Sequence, residues 1–219
     1  MKKILSIFTL VAALFAYGAA NAQGSIHAGY VQNNLISSTT LPVIGTTYDT
    51  LSRPGAYVGF NYNIPFGSSN FGITVGANVE YFRRSDSVVA LGTTLSTRRF
   101  QQLDLVVPVY ANYAIPFGRY NTFTLFAGPT LGLGLINKCT VTDRVLNKDS
   151  EINYFDNENA TEEAYYRERF TWALTAGVRV NFGGFGIHAG YTHGMSDNFT
   201  NANTKGISKR IFVGANINF

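Results

Sequence analysis

One period recurs along this chain: apolar and polar residues alternate at every second position. It is clearest in residues 166–182, where Phe170, Trp172 and Leu174 begin an apolar series that ends at Phe182, with polar or small residues between them. Because successive side chains of a strand point to opposite faces of a sheet, the pattern predicts strands with one apolar and one polar face. The chain must therefore fold as a sheet that separates two different environments.

Eight segments carry this alternation. They are residues 25–31, 55–64, 71–81, 99–115, 122–136, 166–182, 185–192 and 207–219. Four long segments lack the period and are predicted to be loops: residues 33–53, 83–97, 137–164 and 195–206. The remaining connections are short and rich in Pro, Gly and Asn, which favour tight turns. Long and short connections in alternation predict an up-and-down meander of antiparallel strands.

Two of the short connections share a sequence. Ile64-Pro65-Phe66-Gly67 returns as Ile115-Pro116-Phe117-Gly118. The same turn chemistry at two sites predicts that both turns lie at one end of the structure.

Composition indicates which face meets which environment. Charged residues make up 14% of the chain, and aromatic residues, with 17 Phe and 13 Tyr, make up another 14%. After residue 22 there is no apolar run of about 18 residues, so a transmembrane helix is not expected. An outward apolar face and a narrow interior lined by small residues predict an all-β, eight-stranded, antiparallel up-and-down transmembrane β-barrel. A soluble lipocalin-like barrel is the alternative, and it would place the large aromatic residues inside.

The first residues have the features of an export signal. Lys2 and Lys3 precede an apolar stretch at residues 4–17, and Ala20-Asn21-Ala22 fits an A-x-A cleavage site. We therefore predict a cleaved signal peptide at residues 1–22 and one barrel domain at residues 23–219.

Charge and cysteine content exclude some functions. Removing Lys2 and Lys3 from the 17 basic residues leaves 15 against 13 acidic ones, a net charge of +2. That balance gives no support for a nucleic-acid partner. Cys139 is the single cysteine, which excludes an internal disulfide and is interpreted as a loop thiol.

The last predicted strand, at residues 207–219, ends in a recognisable way. Gly214 is followed by the apolar Ile217 and the terminal aromatic Phe219, a pattern that resembles the C-terminal assembly signal of bacterial outer-membrane barrels. With the eight strands and the signal peptide, the chain resembles the small outer-membrane β-barrels of the porin family, including single-domain barrels of Bacteroidetes. The resemblance implies an outer-membrane monomer with periplasmic termini. Its implied partners are lipid, lipopolysaccharide and the barrel assembly machinery, with no cofactor.

The phase of the strands places several charged residues in the interior. The predicted lumen charge cluster comprises Glu80, Asp104, Arg169, Arg179 and Arg210. Glu80 and Asp104 are candidate partners of Arg210, because an unpaired buried charge is costly. We interpret the cluster mainly as a plug, and a gate or selectivity ring is the alternative.

Two histidines occur in a repeated sequence. Ile26-His27-Ala28-Gly29-Tyr30 returns as Ile187-His188-Ala189-Gly190-Tyr191, so both His27 and His188 are expected to face the lumen. They would fill space and hydrogen-bond with Asn181, Asn216 or Asn218. A metal site is not predicted, since no carboxylate or cysteine accompanies them in the sequence.

The sequence contains one candidate catalytic cluster. His193, Ser196 and Asp197 combine a base, a nucleophile and a carboxylate, but their spacing matches no enzyme motif, and a polar loop explains them better. We therefore predict a protein that is not an enzyme and that acts structurally or through surface contacts of its four outer loops. The alternative function is a narrow pore for small solutes.

Overall fold

The computed structural model describes residues 23–41, 45–90, 93–144, 148–155, 167–199 and 204–219. The predicted signal peptide at residues 1–22 lies outside them. The described residues form nine strands: β1 (Gln23–Leu41), β2 (Gly45–Pro65), β3 (Phe71–Ala90), β4 (Thr93–Phe117), β5 (Asn121–Asp143), β6 (Lys148–Asn153), β7 (Phe170–Phe182), β8 (Phe185–Gly194) and β9 (Thr204–Asn218).

Eight of these strands close a ring. Each strand pairs antiparallel with its neighbours in the order β1, β2, β3, β4, β5, β7, β8, β9, and β9 returns to pair with β1. The short β6 lies outside the ring and pairs with residues 138–143 of β5. The predicted all-β, eight-stranded barrel is therefore confirmed.

The short turns gather at one rim, called here the turn end. Gly67, Gly118 and Gly183 lie in the β2–β3, β4–β5 and β7–β8 turns, with φ of 59°, 71° and 61°. Glycine adopts this left-handed conformation without steric cost, which explains its presence at each turn. The two related Pro-Phe-Gly turns thus lie at the same end, as the sequence predicted. The opposite rim is called the hairpin end.

An apolar band surrounds the outside of the ring. Exposed large apolar side chains occupy every strand of the ring and include Ile26, Phe60, Tyr81, Leu125, Trp172, Ile187 and Val213. Where β3, β4 and β5 leave the band, its last row consists of Tyr81, Leu103 and Ile136, which are paired across the strands. The described part of the chain holds no helix with the length and apolar character to cross a membrane.

Two of the predicted loops are largely strands, and a third is partly strand. β1 and β2 stay paired out to Leu41 and Gly45, and β3 and β4 out to Ala90 and Thr93. Part of the predicted loop at residues 137–164 is the end of β5 paired with β6. Beyond the apolar band both faces of a strand meet water, so alternation is lost although β-branched Thr and Val still favour extended backbone. The loop predictions were therefore wrong in these segments.

The ring divides above the apolar band at Pro54. The β2–β3 ladder ends at the pair Gly55 and Phe82, directly next to that proline, while the β1–β2 and β3–β4 ladders continue. Proline has no N–H to donate to a ladder. The described strands at the hairpin end therefore form two walls, one built from β9, β1 and β2 and the other from β3 to β6.

A second proline, Pro108, leaves its strand regular. The register of β4 with both neighbours is the same before and after Pro108, so no bulge accommodates it. The irregularity in the β4–β5 ladder lies instead between Leu103 and Asp104, and it leaves both Leu135 and Ile136 exposed on the outside.

Candidate functional site in the barrel lumen

Three charged side chains meet in the lumen. Arg210 on β9 donates from Nη1 to Glu80 Oε2 over 2.6 Å and from Nη2 to Asp104 Oδ2 over 3.1 Å. The side chains of Arg210, Glu80 and Asp104 are 12%, 10% and 7% exposed. Glu80 and Asp104 stand opposite each other on β3 and β4, where two like charges repel. The guanidinium that crosses from β9 bonds to both carboxylates and ties distant strands together.

This group, called here the ion triad, lies between separate cavities. Cavities of about 40, 30 and 20 Å³ are all lined by Arg210. The Arg210 guanidinium also lies 5.6 Å from the centre of the Phe82 ring. A space of about 10–15 Å³ admits one water centre, so each cavity has room for only a few waters.

Two residues of the predicted charge cluster lie apart from the triad. Arg169 is exposed just before β7 begins, where the strand's alternation does not apply, and its guanidinium lies 4.7 Å from the Phe155 ring. It lines the same cavity as Asp104 and Arg210, and its place in the charge cluster stays a prediction. Arg179 does face the lumen, but nearer the turn end, with its guanidinium 5.8 Å from the Phe126 ring.

Two other arginines were missed from the sequence. Arg53, 1% exposed, donates to Gln102 Oε1 over 2.8 Å and lies 5.3 Å from the Phe100 ring. It continues the inward positions of β2, so the two-residue period could have found it if residues 33–53 had been read as strand. Arg167 lies between two rings, 5.3 Å from Tyr154 and 5.5 Å from Phe199, and no sequence pattern indicated it.

Burial shapes the chemistry of this region beyond the apolar band. Desolvation lowers the pKa of Arg167 to about 9 and raises the pKa of Tyr154 to about 12. Cys139 lies on β5 and is 2% exposed, so its interpretation as a loop thiol was wrong. Burial raises the pKa of the Cys139 thiol as well, which disfavours the reactive thiolate.

The two histidines both face the lumen and lie side by side. His27 Nε2 is 2.8 Å from Asn78 Oδ1, and His188 Nε2 is 2.6 Å from Tyr57 Oη. Their ring centroids are 5.6 Å apart in an edge-on arrangement. Within the described residues no group of three or more His, Cys, Asp or Glu could hold a metal ion.

The asparagines expected to serve these histidines form a network of their own. Asn216 Nδ2 donates to Asn181 Oδ1 over 3.1 Å and to Asn218 Oδ1 over 2.8 Å, and Asn218 also donates to Asn181. The two-residue alternation also places Tyr57 and Asn78 on the inward face. It does not predict how neighbouring strands are shifted relative to one another, and this shift decides which inward residues contact the histidines.

Inward aromatic rings occupy much of the remaining lumen by packing on glycines. A Cβ on Gly190 would lie 2.4 Å from Phe212 Cζ, and a Cβ on Gly177 would lie 2.4 Å from Phe126 Cζ. At Gly214 the Cβ would lie 2.3 Å from Tyr57 Oη. Glycine on one strand thus makes the space that an aromatic side chain on another strand occupies.

The candidate catalytic cluster serves structural roles. His193 Nδ1 lies 3.3 Å from Tyr191 Oη, and Ser196 Oγ accepts from the Trp172 backbone N–H over 3.0 Å. Asp197 Oδ1 accepts from the backbone N–H groups of Phe199 and Gly206. These contacts arrange the connection after β8, and none joins the three residues to one another.

The predicted assembly signal lies along the seam between β9 and β1. Phe219 exchanges two backbone hydrogen bonds with Gly24, of 3.0 and 2.9 Å, and its ring lies against that glycine. Ile217 faces outward and is exposed, whereas Gly214 faces the lumen beneath Tyr57.

A family model described as outer membrane protein beta-barrel domain matches residues 19–200. The chain, with its closed ring and outward apolar band, therefore belongs to this family of outer-membrane β-barrel proteins. Its location is the cell outer membrane. No curated protein sequence matches it.

Several solved barrels are similar in structure. Ail, the attachment invasion locus protein of Yersinia pestis, is 15% identical with a TM-score of 0.49, covering 90% of this chain and 99% of that one. Neisserial surface protein A is 12% identical with a TM-score of 0.44, covering 89% and 97%. OprG from Pseudomonas aeruginosa is 14% identical with a TM-score of 0.44, covering 90% and 96%.

Proposed function

We propose that this protein is a non-enzymatic outer-membrane barrel with a closed lumen that acts through surface contacts of its hairpin end. The observation that carries the proposal is the length of the hairpins. β1, β2, β3 and β4 run 19, 21, 20 and 25 residues, whereas about 9 to 11 suffice to cross a membrane. The surplus builds two walls beyond the apolar band, and these walls offer a surface for contact with other molecules.

The contents of the lumen support the closed state. The ion triad spans the interior from β9 to β3 and β4, and the rings of Tyr57, Phe126 and Phe212 occupy the level below it. A narrow pore for small solutes is the second candidate, favoured by the three small cavities that border Arg210.

Conductance in planar bilayers separates these two functions. We expect no steady current through the wild type, and frequent small openings when Glu80, Asp104 and Arg210 are all changed to Ala. Arg119→Ala, an exposed change at the turn end, serves as the control. A steady wild-type current would establish the pore instead, and a silent triple variant would show that the rings alone close the lumen.

The orientation proposed here puts the turn end and both termini in the periplasm. Tyr48 and Tyr120 are 76% and 69% exposed at opposite ends of the barrel, so they form a matched pair for labelling. A membrane-impermeant maleimide on whole cells should label Tyr48→Cys and not Tyr120→Cys, while the buried Cys139 of the wild type gives the background. Labelling of Tyr120→Cys alone would reverse the orientation.

Surface contact is tested by shortening one wall. Arg83 and Gln101 are paired, so an Asn-Gly turn can join them and remove residues 84–100 while the apolar band stays intact. We expect this variant to insert normally but to reduce cell aggregation and adhesion to coated surfaces. Unchanged adhesion would mean that this wall does not make the surface contact, which would then lie elsewhere on the protein or not exist.

The absence of catalysis is part of the proposal. It is supported by the separate structural contacts of His193, Ser196 and Asp197. Lipid A from cells that express the protein should have the same mass spectrum as lipid A from cells that do not. The proposed monomer and the role of Phe219 in assembly are tested by light scattering in detergent and by the insertion yield of Phe219→Ala.

A further inference from the structure

A basic cluster lies on the outer surface directly above the apolar band. The row that follows Tyr81, Leu103 and Ile136 consists of Arg83 on β3, Gln101 on β4 and Lys138 on β5. Residues opposite each other in an antiparallel pair share a face, so all three point outward. One step of two residues is about 7 Å along a strand, which places this row at headgroup depth.

A third cation completes the cluster. Arg99 lies two residues beyond Gln101 on the same face of β4, opposite Ser85 and Thr140. It is therefore a diagonal neighbour of both Arg83 and Lys138, at about 7 to 8 Å between Cα atoms. Long side chains at this spacing can converge on one ligand, with the Gln101 amide at the centre.

Two of the three cations have no counter-ion among the residues that the structure describes. Arg83 and Arg99 are exposed, and within the described residues neither forms an ion pair. Lys138 is paired with Glu151 at 3.1 Å. Counted over the described residues, three positive charges and one negative charge give the cluster a net charge of +2, on a surface where a membrane-embedded protein meets headgroups. The described residues of the turn-end rim carry one exposed cation, Arg119.

We propose that Arg83, Arg99, Lys138 and Gln101 form a binding site for the phosphate groups on the lipid anchor of lipopolysaccharide. Arginine donates planar, bidentate hydrogen bonds that match phosphate oxygens. The site lies at the depth of the headgroup phosphates, directly above the acyl chains. The inference rests on the proposed orientation, which places this rim in the outer leaflet. The proposed site would bind a lipid at the base of the wall built from β3 to β6, and the far end of that wall would remain available for other contacts.

The test is calorimetric titration of the refolded protein in nonionic detergent with deep-rough lipopolysaccharide. Each basic residue near an anionic lipid contributes about a fivefold gain in affinity, so Arg83→Gln with Arg99→Gln should weaken binding about 25-fold. The double variant should also lose the wild type's preference for phosphorylated over enzymatically dephosphorylated lipopolysaccharide. Arg98→Gln changes the adjacent residue on the opposite face of β4, and it should bind within about twofold of the wild type.

Each other outcome contradicts the site. Equal affinity of the double variant and the wild type, or equal weakening by Arg98→Gln, would remove the cluster as the binding surface. Equally tight binding of phosphatidylglycerol would reduce it to a general anionic contact. Because titration in detergent does not depend on which rim faces outward, its result is independent of the maleimide labelling that tests orientation.

Discussion

The two halves of the lumen stabilise their buried polar groups with different chemistry. Near the turn end, the hydrogen-bond networks join neutral amides and hydroxyls, such as Asn216 with Asn181 and Asn112 with Thr74, and the Arg179 guanidinium lies over the Phe126 ring. Toward the hairpin end the networks join charged groups, with the ion triad and then Arg53 and its ring contacts. Neutral groups share many modest hydrogen bonds, whereas the charged half concentrates its stability in a few residues that cannot be removed singly. We therefore expect the two halves to respond very differently to mutation.

The largest expected effect comes from Arg210→Met. Removing one partner of a buried ion pair leaves the others uncompensated, here Glu80 beside Asp104, and should lower the free energy of unfolding by about 3 to 5 kcal/mol. Urea unfolding in lipid vesicles, followed by the fluorescence of the single tryptophan Trp172, measures the change. Lys209→Met changes the outward-facing neighbour of Arg210 and should have little effect.

A combined variant sharpens the reason for that loss. Changing Glu80 to Gln and Asp104 to Asn in the Arg210→Met background removes all three charges, and most of the stability should return. If the triple variant were as unstable as Arg210→Met alone, lost packing rather than unpaired charge would account for the effect.

An intermediate effect is expected where rings pack on glycine between the two halves. Gly190→Ala forces a Cβ to within 2.4 Å of Phe212 Cζ and should destabilise the barrel by about 1 to 3 kcal/mol. Phe212→Leu in the same chain should recover part of the loss by removing that atom. Gly184→Ala is the matched control, because its nearest neighbour lies at an ordinary 3.8 Å. Equal losses at Gly190 and Gly184 would point to backbone flexibility instead.

The smallest effect belongs to the neutral half. Asn216→Ala removes two hydrogen bonds, to Asn181 and Asn218, and should cost about 1 kcal/mol because these two groups still bond to each other. The same urea titration applies, with the exposed turn residue Asn70 changed to Ala as the reference. A loss as large as that of Arg210→Met would abolish the distinction between the two halves.

Within the membrane, the sequence predicted which side chains face the lipid and which face the lumen, because each environment selects every second residue. Within the apolar band the alternation placed Trp172 outside and Glu80, Asp104 and Arg210 inside, and it named the two carboxylates as partners of that arginine. It failed beyond the band, where water on both faces removes the period although the backbone stays extended. Arg53 was lost for this reason, and Arg167 because its contacts depend on tertiary packing outside any strand.

The seam between β1 and β9 has a consequence for how the barrel forms. Within the described chain, most other neighbours in the ring follow one another in sequence, whereas Gly24 and Phe219 meet from opposite ends of it. Local hairpins form with little loss of chain entropy, but this one pairing must wait until the whole meander is in place. Closing the seam is therefore expected to be the slow kinetic step, and substitutions along it should change the folding rate more than equally destabilising substitutions in the β7–β8 hairpin.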